Sequence, residues 1–505
     1  MYICLKKQRY TTSSGYILVP LRQQDMELIR QWRNGQTAIL RQQKPITTDE
    51  QTRYFEERVA PGFRTPHPSE ILFSIMKKER CIGYGGLVHV NWEYKRAEIS
   101  FLVQLGIQET SKLFEKLFLE FVDVLKEIAF DELQFHRLTA ECYAIRPKIP
   151  YLLQKSGFRK EGHLVSYVYK GGCWVDAYMY GLINSSKCAS MQQGVLISCS
   201  SKKVPLIEAV RRAAYKAESF CTIHGCDSDP NVISRHFVDH FWHVPPFEKL
   251  KIHDVVRYCK KHNVGAVIPT SDRELAFWAG AKAFLHKNGI HVMVSNVQAL
   301  QICHDKLAFM KFVKKLKCTA IPTVTSLEEL TAKSIVVKER RGAGSHHLGL
   351  KLSPKEAHAF AQTLQESLFQ PYIHGVEYSI DLFASHKKVH GIVVRERNVI
   401  VDGESQVTTT VCNKTLEAQV MRVARALNIY GHAVFQVIQA KNGAYYFVEC
   451  NPRFGGASTA SLEVGLDSFY WFFMECKKEA LPPFVRKESE IRQVRYPQDM
   501  TCLLS

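Results

Sequence analysis

Three residues able to do chemistry stand at alternate positions near the end of one apolar run: Glu449, Asn451 and Arg453, in HAVFQVIQAKNGAYYFVECNPRFGG, residues 432–456. Two β-rich stretches flank Asn442-Gly443, a pair favoured in two-residue hairpin turns. With those two as the loop, Lys441 faces Ala444, and counting outward sets Gln436 opposite Glu449. Period-2 alternation puts Asn451 on the face of Glu449; Pro452 ends the strand and Arg453 follows. Gln436, Glu449 and Asn451 then offer three side-chain oxygens together. Magnesium takes oxygen from one or two protein groups plus waters and substrate phosphates, and an adjacent arginine can stabilise charge on a transferring phosphoryl group. A solvated hairpin face would have no need of the Arg-Phe-Gly-Gly terminus.

Other segments carry weaker signals. SIVVKERRGAGSHHLGL reads as a strand with Lys338, followed by a turn with Gly342, Gly344 and Ser345, whose backbone N–H groups could close over phosphates; an ordinary hairpin has the same look. SNVQALQICHDKLAFMKFV carries Lys306, and LFQPYIHGVEYSIDLF carries Gln370, Tyr372, Ile373 and Glu377 in a strand with one charged end. TSDREL, with Asp272 and Glu274, falls at the carboxyl end of a parallel strand, where open α/β sheets place ligands. Arg395 and Arg397 in VVRERNVIVDGESQ could bind a substrate carboxylate as planar forks; a solvated strand edge is the equal alternative.

The elements that must position these residues follow from periodicity. Phe114, Leu117, Phe118, Phe121, Leu125 and Ile128 mark one face of a helix between the strand-like AEISFLV and RLTAECY, which predicts a helix laid across a sheet. VLISCSS, an amphipathic helix through Val204, Ile207, Val210 and Ala214, then AVIPTSD and IHVMVS, predict βαβ units and a parallel sheet. The first turn, Ser198 to Ser201, lacks GxGxxG, which argues against a nicotinamide cofactor. The polar seam NSSKCASMQQG separates the two regions, and KESEIRQVRYPQDMTCLLS reads as a polar tail. The expected fold class is multidomain, α+β then α/β, with residues 1–185, 194–300 and 301–485 as domains and 486–505 as the tail.

Length and composition bound the rest. A chain of 505 residues predicts about three domains, and 46% apolar with 23% charged content excludes a disordered, collagenous or coiled-coil chain. No run approaches the roughly 20 apolar residues of a membrane span, and MYICLKKQRYTTSSG lacks a secretory core, so a soluble cytoplasmic protein is expected. The 15 cysteines never form CxxC, which fits reduced thiols better than disulfides or a zinc ribbon. The net charge of +18 is spread along the chain, which speaks for phosphate-bearing ligands rather than nucleic acid.

ECNPRFGG resembles the E-x-N-P-R signature of ATP-grasp enzymes, especially carboxylate-amine ligases similar to the carbamoyl-phosphate synthase large chain, over roughly residues 194–485. The resemblance implies Glu449, Asn451 and, as an auxiliary, Gln436 as magnesium ligands, and Arg453 as the residue stabilising phosphoryl transfer. It implies ATP contacts from Lys306, Lys338, Gly342, Gly344 and Ser345, adenine contacts from the backbone of Gln370, Tyr372 and Ile373, and ribose contacts from Glu377. Lys338 and Arg453 would be catalytic, with Arg395, Arg397 and Glu274 toward the substrate. Two departures are Glu339 in place of a usual proline and a loop lengthened by His346-His347. The reaction implied joins a small-molecule carboxylate to an amine, or a thiol, through an acyl phosphate with release of ADP; a non-catalytic nucleotide sensor or scaffold is the alternative. A homodimer is compatible with this reading.

Residues 16–185 are similar to GCN5-related N-acetyltransferases, through ILVPLRQQDMELIRQWRN, CIGYGGL, AEISFLV, LLQKSGFRKEG and GGCWVDAYMYGLI. Acetyl-CoA is the cofactor this implies. The donor loop departs from the family: VQLGIQETSKLF keeps one glycine, and Leu153 stands where relatives carry a general-acid tyrosine, with Tyr151 off register. Gly83, Gly85 and Gly86 fit either a working acetyltransferase or a tight strand bulge.

Overall fold

The computed structural model describes residues 1–184, 193–218, 220–342, 348–487 and 490–499, which fall into two units, residues 1–184 and residues 193–499. In the first, strands form one sheet in the order Tyr10–Thr11, Ile17–Pro20, Ile71–Lys77, Arg80–Asn91, Arg96–Val103, Arg137–Tyr143, Cys173–Ile183, Arg159–Lys170. Only Arg96–Val103 and Arg137–Tyr143 run parallel, joined by the helix Lys112–Lys126. The phenylalanine stripe dictates where that helix lies. Phe114, Leu117, Phe118, Phe121, Leu125 and Ile128 are each at most 3% exposed, and burying each such side chain is worth about 1.5–3 kcal/mol.

The parallel pairing runs only from Arg96↔Arg137 to Glu98↔Thr139, after which the two strands part. Gly85 and Gly86 serve close backbone approach rather than a bulge. A Cβ on Gly85 would lie 2.1 Å from the Ser100 carbonyl oxygen, and one on Gly86 2.0 Å from that of Ile71; the register shift against Ile71–Lys77 falls between Gly83 and Cys81.

The second unit is built from three sheets. Five strands, in the order His240–His243, Phe220–Asp227, Gln193–Ser198, Val264–Pro269 and His291–Val292, pair in parallel throughout. Val195, Leu196 and Ile197 have no exposed surface, as a strand covered on both faces requires. A small antiparallel sheet, Leu348–Leu352, Ile335–Glu339 and Ser367–Pro371, is backed by the helix Pro354–Ala361. The third sheet is antiparallel, in the order Tyr445–Asn451, Gly431–Ala440, Gly375–Ser385, Lys388–Val401, Glu404–Val411, Arg492–Val494, with the helix Lys414–Leu427 packed against it. Among the described residues no helix is long and apolar enough to cross a membrane.

Two expectations are corrected here. The polar tail is not merely a tail: Arg492–Val494 adds an edge strand, with Val407 opposite Val494 and Thr409 opposite Arg492. Backbone pairing on an edge needs no apolar side chains, so composition could not reveal it. The hairpin turn is not the two-residue type either. Ala440 N–H donates to the Ala444 carbonyl across a three-residue loop in which only Gly443 has positive φ, at 83°. A compensating register shift between Gln436 and Val437 restores the pairing of Gln436 with Glu449.

Candidate active site

Strand alternation and the bulge bring Gln436, Glu449 and Asn451 to one place. Gln436 lies opposite Glu449, and the Asn451 side-chain amide donates to Glu449 Oε1 at 2.8 Å, which leaves Oε2 open. Gln436 and Glu449 line a cavity of ≈ 280 Å³ together with Lys306, Lys338, Gly342, Gln370, Tyr372, Ile373, Glu377 and Arg397. Residues separated by up to 143 positions in the chain thus share one wall, because the small sheet and the large antiparallel sheet face the same space.

Lys338 is carried by the central strand of the small sheet and is buried. Among the described residues its ammonium has no hydrogen-bond or ion-pair partner. Burial pushes its pKa down to about 8, against an opposing pull from Glu449 and with further lowering from Lys306. Lys306 opens the helix Lys306–Lys315, and the residue before it fixes where it points. Asp305 caps that helix through Ala308 N–H at 3.0 Å and accepts from Arg340 Nε at 3.0 Å, while Lys306 N–H donates to the Arg340 carbonyl at 3.1 Å. The Lys306 ammonium donates to the Gly342 carbonyl at 2.7 Å, and burial lowers its pKa. Gly344 and Ser345 lie outside the described residues.

On the other wall, Gln370, Tyr372 and Ile373 line the cavity, and the Gln370 side-chain amide donates to Thr323 Oγ1 at 2.7 Å. Glu377 Oε2 accepts from Arg397 Nη1 at 2.8 Å, and Arg397 also donates to Ser405 Oγ at 3.0 Å and the Gly403 carbonyl at 2.6 Å. Arg397 is therefore a braced wall of the cavity rather than an open fork.

Arg395 and Glu274 depart from their expected roles. Arg395 is 2% exposed and donates through Nε at 2.5 Å and Nη2 at 3.2 Å to Asp381, which is fully buried. Asp381 also accepts from Ser458 Oγ at 2.6 Å and Ser461 Oγ at 2.5 Å, and His432 Nε2 lies 3.3 Å away. Burial alone would raise the Asp381 carboxyl, yet the Arg395 guanidinium and His432 hold it well below the usual carboxylate range. This network ties the strand Gly375–Ser385 to the turn beyond Arg453. Removing the carboxylate by Asp381→Ala leaves a buried guanidinium unpaired, and a loss of about 3–5 kcal/mol of unfolding free energy is expected in urea titration. Glu274 is likewise structural: fully buried, it accepts from Thr270 N–H at 2.8 Å, Ser271 N–H at 2.9 Å and Trp278 Nε1 at 2.7 Å.

Arg453 finds a partner that sequence reasoning did not pair with it. Its Nε and Nη2 both donate to Asp272 Oδ2, at 2.8 and 2.5 Å, across 181 residues. Asp272 stands just beyond the end of the parallel strand Val264–Pro269, so the parallel sheet reaches the end of the hairpin through this ion pair. The position of Asp272 was legible; its partner was not.

In the first unit a cavity of ≈ 650 Å³ opens where the parallel strands part, lined by residues Ile99–Phe101 and Ala140–Tyr143 among others. Arg41 reaches in between the strands, 2.9 Å from Glu98 and 3.1 Å from Glu141. The loop before the long helix has Gly106 at φ 97°, and Glu109 in it pairs with Arg146. Leu153 lines the cavity, whereas Tyr151 does not and lies under Lys148, 4.6 Å from its ring centre.

Sequence and fold comparisons agree with this division. Family models match an acetyltransferase (GNAT) domain over residues 18–179, a PylC-like N-terminal domain over 195–293 and an ATP-grasp domain over 303–457. No curated protein matches the chain significantly. Among solved structures, biotin carboxylase from Campylobacter jejuni in its complex with β,γ-ATP superposes with a TM-score of 0.50 at 14% identity, covering 61% of this chain and 76% of that one. The biotin carboxylase domain of Hydrogenobacter thermophilus 2-oxoglutarate carboxylase, with MgADP, ADP and bicarbonate, gives 0.50 at 12% identity over 60% and 74%. At these identities the likeness is one of fold.

Proposed function

We propose that this chain, in which a GNAT domain is followed by a PylC-like N-terminal domain and an ATP-grasp domain, is a ligase that uses ATP and magnesium to join a carboxylate to an amine. The observation that carries the reading is the cavity wall on which two buried cations, Lys306 and Lys338, face the carboxylate of Glu449. Among the described residues the Lys338 ammonium is buried without a partner and the Lys306 ammonium holds only the neutral Gly342 carbonyl, so neither charge is balanced by a direct ion pair, and a polyphosphate is the anion that suits two such cations. Glu449 Oε2, with Gln436 and Asn451, supplies hard oxygen donors suited to magnesium, which would neutralise phosphate charge there. The backbone of residues 370–373 is the adenine edge and Glu377 the ribose contact.

In this mechanism a carboxylate oxygen of the substrate attacks the γ-phosphorus, the bond to the β,γ-bridging oxygen breaks and ADP leaves. The amine then attacks the acyl carbon, inorganic phosphate leaves and the amine loses its proton to solvent. Lys338 and Arg453 hold the transferring group and stabilise its charge; no side-chain nucleophile is needed. The GNAT domain is assigned an amine acceptor and acetyl-CoA, in the cleft between its parting strands. A module without acetyl transfer is a second reading, favoured by the single glycine and the Glu109–Arg146 pair in the donor loop.

The experiment that tests the ligase reading is magnesium-dependent ADP release in the presence of a small-molecule extract, with mass spectrometry for a new condensed product. ATP binding without stimulated ADP release favours a nucleotide sensor instead. Lys338 adds a pH signature. Its pKa in the free protein is down at about 8, and bound phosphate would hold it protonated, so binding takes up a proton above that pH. ATP affinity measured by calorimetry is expected to fall as pH rises from 8, by up to about tenfold per unit, and to lose that dependence in Lys338→Met. The ligand-free protein gains stability with pH in the same window, since the unfolded chain keeps the proton up to 10.5.

A further inference from the structure

The cavity of the first unit passes between the parting strands and meets both faces of the sheet. Strand alternation sends Ala97, Ile99, Ala140 and Cys142 to the core that holds Phe118 and Leu153, and Glu98 and Glu141 to the opposite face. The opening on that second face is filled by a side chain of the same unit. Arg41 Nη2 lies 2.9 Å from Glu98 Oε1 and 3.1 Å from Glu141 Oε2, and Nε donates to Glu141 Oε1 at 3.3 Å. Nη1 lies 2.9 Å from His89 Nε2, which must accept there because a guanidinium has donors only. Arg41, His89, Glu98 and Glu141 all line the cavity.

This occupant can leave without unfolding its surroundings. The Arg41 side chain is 48% exposed, against 18% and 7% for Glu98 and Glu141. The neighbouring backbone is pinned separately: the Gln42 carbonyl accepts from Lys170 Nζ at 2.7 Å, and the Gln42 side chain joins Arg33 Nε and Asn34 Oδ1. Rotation of one long side chain therefore opens the site. It leaves two carboxylates close enough to share one nitrogen, and each disfavours the other's charge until a cation arrives. An ammonium supplies that charge, but the carboxylates then stabilise its proton and oppose its attack on a thioester. A guanidinium meets all four acceptor atoms as Arg41 does, stays protonated throughout, and leaves a separate amine of the same molecule free to react. Resting on the reading of this domain as a site for an amine and acetyl-CoA, we infer that Glu98, Glu141 and His89 form a guanidinium site, that Arg41 occupies it as an internal competitor, and that the acceptor carries a guanidinium apart from its amine. The amine nitrogen attacks the thioester carbon, the C–S bond breaks, and the leaving thiolate takes up the proton that the amine loses.

The test titrates the full chain by calorimetry, with and without saturating CoA. The probes are aminoalkylguanidines with two to six methylenes, butylguanidinium, which has no amine, and 1,5-diaminopentane, which has no guanidinium. Arg41→Met is expected to bind butylguanidinium and at least one aminoalkylguanidine tenfold or more tighter than wild type, because the tethered competitor is gone. The diamine should bind that variant at least tenfold more weakly. Adding Glu141→Gln, which keeps the shape, should abolish the gain; Glu98→Gln is the alternative if circular dichroism shows the first to be unfolded. A merely structural Arg41 predicts the reverse: Arg41→Met loses thermal stability that butylguanidinium does not restore, and gains no guanidinium affinity. That result overturns the inference, as does a diamine that binds as tightly as the guanidines. Transfer is read separately, as free CoA thiol released from acetyl-CoA, which the aminoalkylguanidines should stimulate and butylguanidinium should not. Simple amines acting as well as aminoalkylguanidines would overturn the acceptor class while transfer stands. Tight guanidinium binding with no thiol release from any probe would instead remove the acetyl-transfer reading, and the acceptor with it, and leave the guanidinium site in place.

Discussion

Glu449→Gln is expected to reduce magnesium-dependent ADP release by more than about a hundredfold, the scale seen when one preorganised electrostatic group is removed from a reacting centre. The substitution keeps size and shape, so strand pairing with Gln436 persists and the protein should fold. What changes is charge. Glu449 is the counter-charge that raises the pKa values of Lys306 and Lys338 against burial, and its open Oε2 is the hardest donor in the candidate metal set. Without it, magnesium should lose its effect on nucleotide binding, while ATP in the absence of magnesium should bind at least as well as before, because a negative charge facing the phosphates has gone. Calorimetric titration of ATP with and without magnesium checks both halves. Unchanged turnover would remove Glu449 from the metal site.

Arg453→Lys is expected to lower turnover by about a thousandfold with little change in ATP affinity, in line with the worth of an arginine placed on a transferring phosphoryl group. The formal charge is conserved, so a simple field effect would survive. Lysine lacks the planar fork, which here grips Asp272 through two nitrogens while Nη1 reaches the Phe454 carbonyl at 3.2 Å. A single ammonium cannot hold that orientation and also meet the reacting group. Steady-state kinetics should place the loss in kcat. A loss confined to the KM for ATP would mean that Arg453 binds nucleotide rather than stabilising transfer.

Much of this site is legible in the amino-acid sequence, for reasons tied to period and spacing. Glu449, Asn451 and Arg453 sit at alternate positions of one strand and its end, and a hairpin makes Gln436 the partner of Glu449. Counting from a two-residue turn reaches that pairing through the wrong turn, since the three-residue loop and the bulge near Val448 each shift the register by one and cancel. Bulges leave no reliable mark in a strand of apolar residues. Arg395 shows the opposite limit. Its neighbour Arg397 lies two positions away on the same strand and does line the cavity, yet Arg395 is claimed by Asp381 in SIDLFA, a buried acid inside an apolar run. That lone acid is the signal that an internal cation is needed. The Asp272–Arg453 pair is out of reach of pattern and spacing because tertiary packing alone unites a parallel-strand terminus with a hairpin end. Glu274 misleads because a capping carboxylate and a ligand-binding one look alike at the end of a parallel strand.

The central claim is that the ATP-grasp domain activates a carboxylate by moving the γ-phosphoryl group onto one of its oxygens. A small-molecule pool whose carboxylates have been exchanged with heavy oxygen in acidified labelled water, then returned to ordinary water, tests it directly. Incubated with the protein, magnesium and unlabelled ATP, the pool should yield inorganic phosphate carrying one heavy oxygen for each ADP released, as read by mass spectrometry. ADP released together with unlabelled phosphate would mean that water, not a carboxylate, receives the phosphoryl group, and would contradict the account.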